Sequence, residues 1–250
     1  LSTRLNSMLD RIARLDEGLK QVSDNIAHDL KTPLTRLRNK ADQALAVADV
    51  PGASREALQE VIADTDQIIK TFNALLMISR VESGSAAAEL ADLDLSALVR
   101  DVCELYEPVA EEAGFTFAVR IAPGLSMKGN RELLSQALSN LCDNALKYAR
   151  PPEGGEARLE IAATRANGKV RLDVVDNGPG IPVGQREHVT ERFTRLEESR
   201  TLPGNGLGLS LVQAVAQLHG GVLEFSDARG ENGTGLTASL VLPVSGGKSS

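Results

Sequence analysis

Three short segments in the second half of the chain carry polar side chains at spacings that suit chemistry. In the first, NLCDNALKYA, Asn140, Asn144 and Lys147 are separated by four and three residues, which places them on one face of a helix. An amide oxygen is a neutral ligand for Mg²⁺, and a lysine one turn away suits phosphate. Taken alone, the same stripe also fits an ordinary solvated helix face.

The second segment, VVDNGPGIP, is predicted to end a strand at Val175 and to place Asp176 in a turn with Gly178 and Gly180. A carboxylate at a strand end can accept a hydrogen bond from an adenine amino group, and glycines let a flat base approach the backbone. The plain alternative is a β-turn that begins with Asp, which is a common arrangement.

The third segment, GNGLGLSLVQAVAQLHGG, leads through Gly204, Gly206 and Gly208 into a predicted helix. Free backbone N–H groups at a helix start bind phosphate, although a glycine-rich helix start is a weak signal by itself. The polar stretch before it, ERFTRLEESRTLPGNG, contains Phe193 and Arg195 and fits a lid over phosphates.

A fourth segment, SDNIAHDLKTPLTRL, combines apolar helical periodicity with His28, Asp29 and Pro33. An acid beside a histidine can take the imidazole proton or orient the ring, which strengthens the attacking nitrogen. Pro33 removes a helix hydrogen bond and bends the helix just past the histidine. A surface histidine is the alternative for His28, and lid surface and helix C-terminal capping are the expected roles of His188 and His219.

Residues 1 to about 85 have the periodicity of two long helices, which break at VADVPGASRE. Ser54 is the predicted cap of the second helix. The apolar stripe of that helix is close to a heptad seam, and a hairpin of two helices leaves a wide apolar face uncovered. A homodimeric four-helix bundle is the economical way to bury this face.

The composition shifts after the loose stretch ESGSAAAELADLDL. A helix ending at Gly114, a strand FTFAVRIA, a helix capped by Asn130 and two hairpins follow, one of them with an Asn-Gly turn. This pattern predicts an α+β sandwich, with helices on one face of a mixed sheet.

The overall composition excludes several classes of protein. The formal net charge of -7 and the sequence pI of about 5.1 argue against a nucleic-acid binder with a broad basic surface. Cys103 and Cys142 belong to no Cys/His cluster, so neither a zinc site nor a disulfide framework is expected. The sequence contains no apolar run of about 18 residues, so no membrane span is expected in it. Because the chain begins with Leu1, it is expected to be a fragment of a longer protein.

The order of the three C-terminal segments resembles the catalytic domain of sensor histidine kinases, within the wider ATPase superfamily of type II topoisomerases, MutL repair proteins and chaperones of the Hsp90 kind. The N box matches as NLCDNALKY, the first glycine box as DNGPGIP, the F box as ERFTR and the second glycine box as GNGLGLSLV. IAHDLKTPLTRLR resembles the dimerisation and phosphotransfer segment of these kinases. LNSMLDRIARLDEGLKQVSDN resembles the last helix of a HAMP linker, which follows a transmembrane segment in the family.

The resemblance implies ATP and Mg²⁺ as cofactors and assigns roles to matching residues. His28 is the phosphoacceptor, Asp29 assists it, and Thr32 positions a water that would hydrolyse a phosphorylated regulator. Asn144 and Asn140 are the implied metal ligands. The implied cofactor-binding residues are Asn140, Asn144, Lys147, Tyr148, Asp176, Gly178, Gly180, Phe193, Arg195, Gly204, Gly206, Leu207 and Gly208.

The resemblance also implies a domain division and partners. Residues 1–20 end a HAMP-like linker helix, 21–85 form the phosphotransfer hairpin, 86–93 are a linker, 94–244 form the ATP-binding domain and 245–250 are a disordered tail. The implied partners are a second copy of the chain and a cognate response regulator, with no nucleic acid and no membrane contact by this fragment. A cytoplasmic location is expected, with the parent protein in a bacterial inner membrane.

The chain departs from the family pattern at four positions. Asp29 stands where Glu is frequent, Lys31 where Arg is frequent, Asn205 where Thr or Ser is frequent, and Leu236 where some members have Thr. None of these changes removes an essential chemical group, so the enzyme is expected to be competent.

Two alternatives to the kinase assignment remain at this stage. One is a non-catalytic dimeric scaffold that binds ATP and signals by conformation. The other is an ATP-hydrolysing clamp like the topoisomerase and MutL branch, in which a glutamate activates water at the position of Asn140. An amide cannot act as that base, which favours transfer to histidine.

Overall fold

The computed structural model describes residues 34–46, 52–82, 89–149, 155–195, 206–228 and 235–244. The chain forms two compact units, Leu1–Ser83 and Gly84–Ser250.

The first unit contains two helices, α1 (34–45) and α2 (Gly52–Glu82). Arg38 on α1 forms an ion pair of 2.8 Å with Asp66 on α2, so the two helices lie side by side. Helix α2 begins at Gly52, and the predicted cap residue Ser54 therefore lies inside the helix. That prediction was wrong because Ala and Ser do not oppose helix formation, so nothing between residues 52 and 54 delays the start.

An apolar stripe on these two helices remains exposed. Val61, Ile68 and Leu75 lie seven residues apart along α2, and their exposed fractions are 38%, 50% and 39%. Leu37 on α1 is 48% exposed. Side chains of this type at heptad spacing are typical of a surface that packs against another helix.

The second unit alternates helices and strands. Its elements are β1 (Ala91–Asp94), α3 (Leu95–Glu112), β2 (Phe115–Ile121), β3 (Ser126–Gly129), α4 (Arg131–Tyr148), β4 (Ala157–Ala166), β5 (Lys169–Asp176), α5 (Gly208–Leu218), β6 (Val222–Asp227) and β7 (Leu236–Pro243). Two short 3₁₀ turns, Val183–Gln185 and His188–Thr190, follow β5.

Five strands form the main sheet in the order β2-β4-β5-β7-β6. The pair β2–β4 is parallel and the other pairs are antiparallel, which confirms the predicted mixed sheet. Alternate residues of β5, namely Val170, Leu172 and Val174, are buried under the helices, whereas their neighbours are partly exposed. The sheet therefore has one covered face, as the α+β sandwich prediction requires.

Local signals explain where several of these elements begin and turn. Asn167 and Gly168 connect β4 to β5 with φ angles of 52° and 72°, which is the left-handed turn predicted from the Asn-Gly pair. The Asn130 side chain caps α4 by accepting a hydrogen bond of 3.1 Å from the Leu133 amide, as predicted.

The predicted linker is shorter than expected. Residues Ala91–Asp94 pair with Ser126–Gly129 as a separate two-stranded sheet, although residues up to 93 were assigned to the linker. Four residues carry too little alternation to predict a strand, and the pairing depends on a partner more than 30 positions away.

Candidate active site

A cavity of about 440 Å³ opens in the second unit where α4, the end of β5 and the start of α5 meet. Most of the residues predicted for nucleotide binding line it. They are Asn144, Lys147, Tyr148, Asp176, Gly180, Arg195, Gly206 and Gly208. Three sequence segments that are far apart in the chain therefore converge on one space, as the motif order predicted.

The floor of the cavity is apolar. Val174, Ala238 and Phe225 are paired in register across β5, β7 and β6, and all three line the cavity. Further apolar walls come from Leu141, Ile181, Val189 and Leu236. This floor was not predicted from the sequence. The alternation within β5, β6 and β7 nevertheless places Val174, Phe225 and Ala238 on the face that packs under the helices.

Asp176 is the acidic group of the cavity. Its carboxylate accepts a hydrogen bond of 2.9 Å from the Gly178 amide, and a second one from the Leu236 amide. Burial raises the pKa of Asp176 from 3.8 to about 6, and the two backbone bonds only partly offset this effect. The carboxylate is therefore ionised at neutral pH, with little of the solvation that would stabilise its charge.

Two glycines are required by close approach of backbone segments. A Cβ atom on Gly178 would lie 2.4 Å from the Cα atom of Ala149. Gly206 has a φ of +67°, and a Cβ atom there would lie 2.7 Å from the carbonyl carbon of Phe193. The Phe193 amide also donates to the Gly206 carbonyl over 2.9 Å, so the backbone at Phe193 is hydrogen-bonded to the backbone at Gly206.

The two asparagines of α4 face the start of α5. An atom added as Cβ on Gly208 would lie 3.7 Å from Asn144 Nδ2 and 3.9 Å from Asn140 Oδ1, in ordinary contact with both side chains. Asn144 lines the cavity, whereas Asn140 does not. Among the described residues, the buried Asn140 Nδ2 has no hydrogen-bond partner. A buried amide in this condition is costly unless another group satisfies it.

Lys147 and Tyr148 act on each other at the cavity wall. The Lys147 Nζ donates to the Tyr148 hydroxyl over 2.6 Å and lies 4.5 Å from the centre of the Tyr148 ring. This contact orients the ammonium group towards the cavity edge that both residues line.

Some predicted site residues do not line the cavity. Asn140 and Gly178 lie directly behind it, Leu207 is buried as the residue that precedes α5, and the Phe193 side chain is 61% exposed with a φ of +61°. The predicted residues His28, Asp29, Thr32 and Gly204 lie outside the described residues.

The remaining polar candidates behave as structural residues. His188 is exposed and pairs with Glu191 over 2.8 Å, which raises the pKa of His188. His219 is the residue that caps the C-terminus of α5, as predicted, but it is buried rather than exposed. Cys103 and Cys142 are both free and buried, which agrees with the absence of a predicted disulfide.

The described residues hold no group of three His, Cys, Asp or Glu side chains arranged for a metal ion. In the described part of the chain, no helix is long and apolar enough to cross a membrane.

Comparison with known proteins defines the class of this arrangement. The family model for the histidine kinase-, DNA gyrase B- and HSP90-like ATPase matches residues 129–246, which include the whole cavity. The model for the His Kinase A (phospho-acceptor) domain matches residues 19–84. The chain therefore contains a phospho-acceptor domain followed by an ATPase domain, and the cavity lies in the ATPase domain.

Individual relatives agree with this class. The sensor protein IrlS of Burkholderia pseudomallei is 33% identical over 218 residues, which are 86% of this chain and 46% of IrlS. The signal transduction histidine-protein kinase/phosphatase MprB of Mycobacterium bovis is 33% identical over 234 residues, which are 91% of this chain and 45% of MprB.

Solved structures give the same result. The crystal structure of full-length ShkA in complex with AMPPNP has a TM-score of 0.71 and 27% identity, over 91% of this chain and 46% of that chain. The mycobacterial sensor histidine kinase MprB has a TM-score of 0.55 and 30% identity, over 61% of this chain and 97% of that structure. The chain belongs to the sensor histidine kinase family. It spans between 30% and 59% of the length of eight of the curated relatives that it matches.

Proposed function

We propose that this chain is the kinase part of a two-component sensor, which transfers the γ-phosphoryl group of ATP to His28 and then to an aspartate of a response regulator. The observation that carries the proposal is the cavity in which Asp176, Asn144 and Gly208 converge, in a chain that also matches a phospho-acceptor domain. A binding cavity without an acceptor would support only a nucleotide sensor.

The adenine base is proposed to lie on the apolar floor, with its amino group donating to Asp176. The carboxylate is buried, so a hydrogen bond to it is charge-assisted and strong. Val174, Ala238 and Phe225 exclude water from the face of the base that lies against them. Leu236 replaces the threonine of some relatives, but its contact with Asp176 is made by the backbone and does not depend on the side chain.

The phosphates are proposed to lie at the start of α5. The first backbone N–H groups of α5 have no partner within the helix, and Leu207 gives them no side-chain cap, so the positive end of the helix dipole is available to an anion. Lys147 and Arg195 line the same cavity. The amide oxygen of Asn144, with Asn140 behind it, fits a magnesium ion that is shared with the phosphates. Bound there, the ion would neutralise phosphate charge. The buried, unpartnered Nδ2 of Asn140 is a hydrogen-bond donor, so it would not ligate the ion but supports an acceptor, such as a phosphate oxygen, at this point.

Replacing Asn144 with Ala is expected to weaken Mg-ATP binding by at least about 10-fold. Even mutation of a residue that only supports a metal ligand typically lowers metal affinity by about 10- to 100-fold. Binding of ATP in the presence of EDTA should change much less. Titration of both forms by calorimetry, with and without Mg²⁺, measures the difference. A variant that binds Mg-ATP as tightly as the original chain removes Asn144 from the metal site.

The transfer step is proposed to occur at a ring nitrogen of His28. The nitrogen attacks the γ-phosphorus, the bond from phosphorus to the bridging oxygen of ADP breaks, and ADP leaves. Asp29 accepts the imidazole proton, so that the phosphorylated ring is neutral. Catalysis comes mostly from positioning and from neutralising phosphate charge.

The transfer proposal is tested by intact-mass measurement at neutral pH after incubation with Mg-ATP. The proposal predicts addition of one phosphoryl group to each chain. Bound nucleotide without any added phosphoryl group would support the rival assignment, a dimeric scaffold that binds ATP only to change shape.

The exposed stripe of Leu37, Val61, Ile68 and Leu75 is proposed to be the surface on which two copies form a four-helix bundle. Replacing Ile68 with Glu is expected to weaken dimerisation about 100-fold or more, because each copy then loses about 1.5–3 kcal/mol of apolar burial. Lys70→Glu changes an exposed residue two positions away and serves as the control. Light scattering over a range of concentrations reports both, and a dimer that survives Ile68→Glu places the interface elsewhere.

The phosphorylated histidine is proposed to donate to an aspartate on a separate response regulator, because a phosphoramidate is reactive enough to transfer its phosphoryl group onward. Thr32 is proposed to position a water for the reverse task, hydrolysis of the phosphorylated regulator; the name of the relative MprB includes both activities. The HAMP-like segment at 1–20 supports the further proposal that the parent protein is anchored in a bacterial inner membrane, with this part in the cytoplasm.

A further inference from the structure

His219 holds two secondary-structure elements together at the end of α5. The ring is 5% exposed. Its Nδ1 lies 2.7 Å from the Val215 carbonyl oxygen, and its Nε2 lies 3.0 Å from the Asn130 amide nitrogen. Because the Asn130 amide donates, Nε2 must be the bare nitrogen, so Nδ1 carries the proton and donates to Val215. Both bonds are satisfied only by a neutral ring in this one tautomer.

The ring also contacts the backbone of the segment that precedes α4. A Cβ atom on Gly129 would lie 3.3 Å from the His219 ring, so the backbone at Gly129 packs directly against it. Burial lowers the pKa of His219, and its bond to Val215 only partly offsets this. Neither α5 nor β7 carries a charged residue. The charged residues on β6, Glu224 and Asp227, pair with Arg171 and Arg186. The charged residues on the other adjoining segments are Glu89, Lys128, Arg131 and Glu132.

Two of these charged groups are already engaged away from the ring. Glu89 accepts a hydrogen bond of 3.0 Å from the Asn130 side chain, and Arg131 pairs with Asp101. No charged side chain contributes to the lowered pKa of His219. The state of the ring is therefore governed by its burial and by its two backbone partners.

The contact connects the two helices that build the phosphate side of the cavity. Helix α5 begins at Gly208, beside Asn140 and Asn144 of α4, and it ends at His219, beside the first residues of α4. The two helices are thus antiparallel and are joined at both ends. Helix α5 has 11 residues, is about 16 Å long and packs along α4, so a contact at one end of α5 bears on the position of its other end.

We propose that His219 is a positioning residue for the nucleotide site, whose neutral ring fixes α5 along α4 so that the Gly208 amide lies beside Asn144. The inference rests on the proposed nucleotide-binding function. Protonation of the ring would place a second N–H group against the Asn130 amide and open the contact. Nucleotide affinity should therefore fall when the pH drops below the pKa of the ring, through a residue that never touches the nucleotide.

The test compares His219→Gln, His219→Leu and the exposed control His188→Gln in ATP titrations between pH 7.5 and 5.5. At pH 7.5, a glutamine can still accept from the Asn130 amide, so its affinity should stay within about threefold of the original chain. Leucine cannot, and its affinity should be about tenfold weaker. In acid, the original chain should lose more affinity than His219→Gln. Asp176 titrates in both, so the difference between them isolates His219.

The outcomes separate this role from the proposed function. An original chain that does not bind ATP overturns the proposed function itself. An original chain that binds ATP, with His219→Leu equally tight and the pH profile of His219→Gln unchanged, overturns the positioning role alone. Nitrogen NMR of the original chain gives a test that needs no variant to fold. A ring protonated on Nδ1 with a pKa below 6.5 supports the contact, whereas protonation on Nε2 or a pKa above 6.5 contradicts it.

Discussion

A chain in which His28 is replaced by Gln is expected to bind Mg-ATP with unchanged affinity and to acquire no phosphoryl group. The ATP cavity lies within the second unit, and every residue that lines it is distant from position 28 in the sequence, so the binding step does not require the imidazole. Transfer does require it, because a glutamine amide has no nucleophilic nitrogen of comparable strength.

The experiment measures ATP affinity by titration and incorporated phosphate with γ-labelled ATP, on the same preparation. His188→Gln is the matched control, since it removes an exposed histidine of the second unit and should leave the incorporated label unchanged. Phosphate retained on His28→Gln would assign the acceptor to another residue. Loss of ATP binding would show that position 28 contributes to the nucleotide site.

Replacement of Asp176 by Asn is expected to lower ATP affinity about tenfold or more and, at the same time, to stabilise the nucleotide-free protein above pH 6. The affinity falls because a charge-assisted hydrogen bond to adenine is replaced by a neutral one. The stability rises because the native structure holds an ionised carboxylate that is poorly solvated. The amide keeps an oxygen that can accept from the Gly178 amide.

The sign and size of the stability effect follow from the pKa. Folding raises the pKa of Asp176 from 3.8 to about 6, so the native state binds this proton more tightly than the unfolded state. The stabilising contribution is complete below pH 3.8, falls as the pH rises, and is lost above about 6. The full difference corresponds to about 3 kcal/mol of unfolding free energy.

Urea unfolding of both forms at pH 8 and pH 4.5 measures this difference. The Asp176→Asn form should be more stable by up to about 3 kcal/mol at pH 8, and the gain should shrink at pH 4.5. A variant that is less stable than the original chain at pH 8 would mean that the ionised carboxylate stabilises the fold. The proposal that Asp176 is kept for binding at a cost in stability would then be wrong.

The polar side of the site was predictable because its residues sit at the ends of elements with strong local signals. Helical spacing places Asn144 and Lys147 on one face of α4, and a strand end places Asp176 at the edge of the sheet. The glycines before α5 mark a helix start. Local periodicity is enough to locate such residues, since each depends only on its own element.

The apolar side of the site depends on pairings that no local signal encodes. Val174, Ala238 and Phe225 form the floor only because β7 lies between β5 and β6, so that strands distant in sequence are neighbours. The strand at Ala91–Asp94 was missed for the same reason, because its partner is β3. Strand order is set by the packing of the whole sheet, and periodicity alone does not reveal it.

The capping role of His219 was predictable from the sequence, whereas its second hydrogen-bond partner was not. Its position near the end of a helix predicted a capping role, which was confirmed. The capping ring is buried, and burial lowers its pKa. The second partner, the Asn130 amide, lies 89 positions away and is brought close only by the packing of α4 on α5.

Whether ATP phosphorylates a histidine of this chain can be decided from the chemical stability of the transferred phosphate. The purified chain is incubated with γ-labelled ATP and Mg²⁺, and the labelled protein is then held in acid and in base. Label on a histidine should be lost in acid and survive base, as a phosphoramidate does. Label that survives acid, or no label on a chain that binds ATP, would contradict phosphorylation of a histidine.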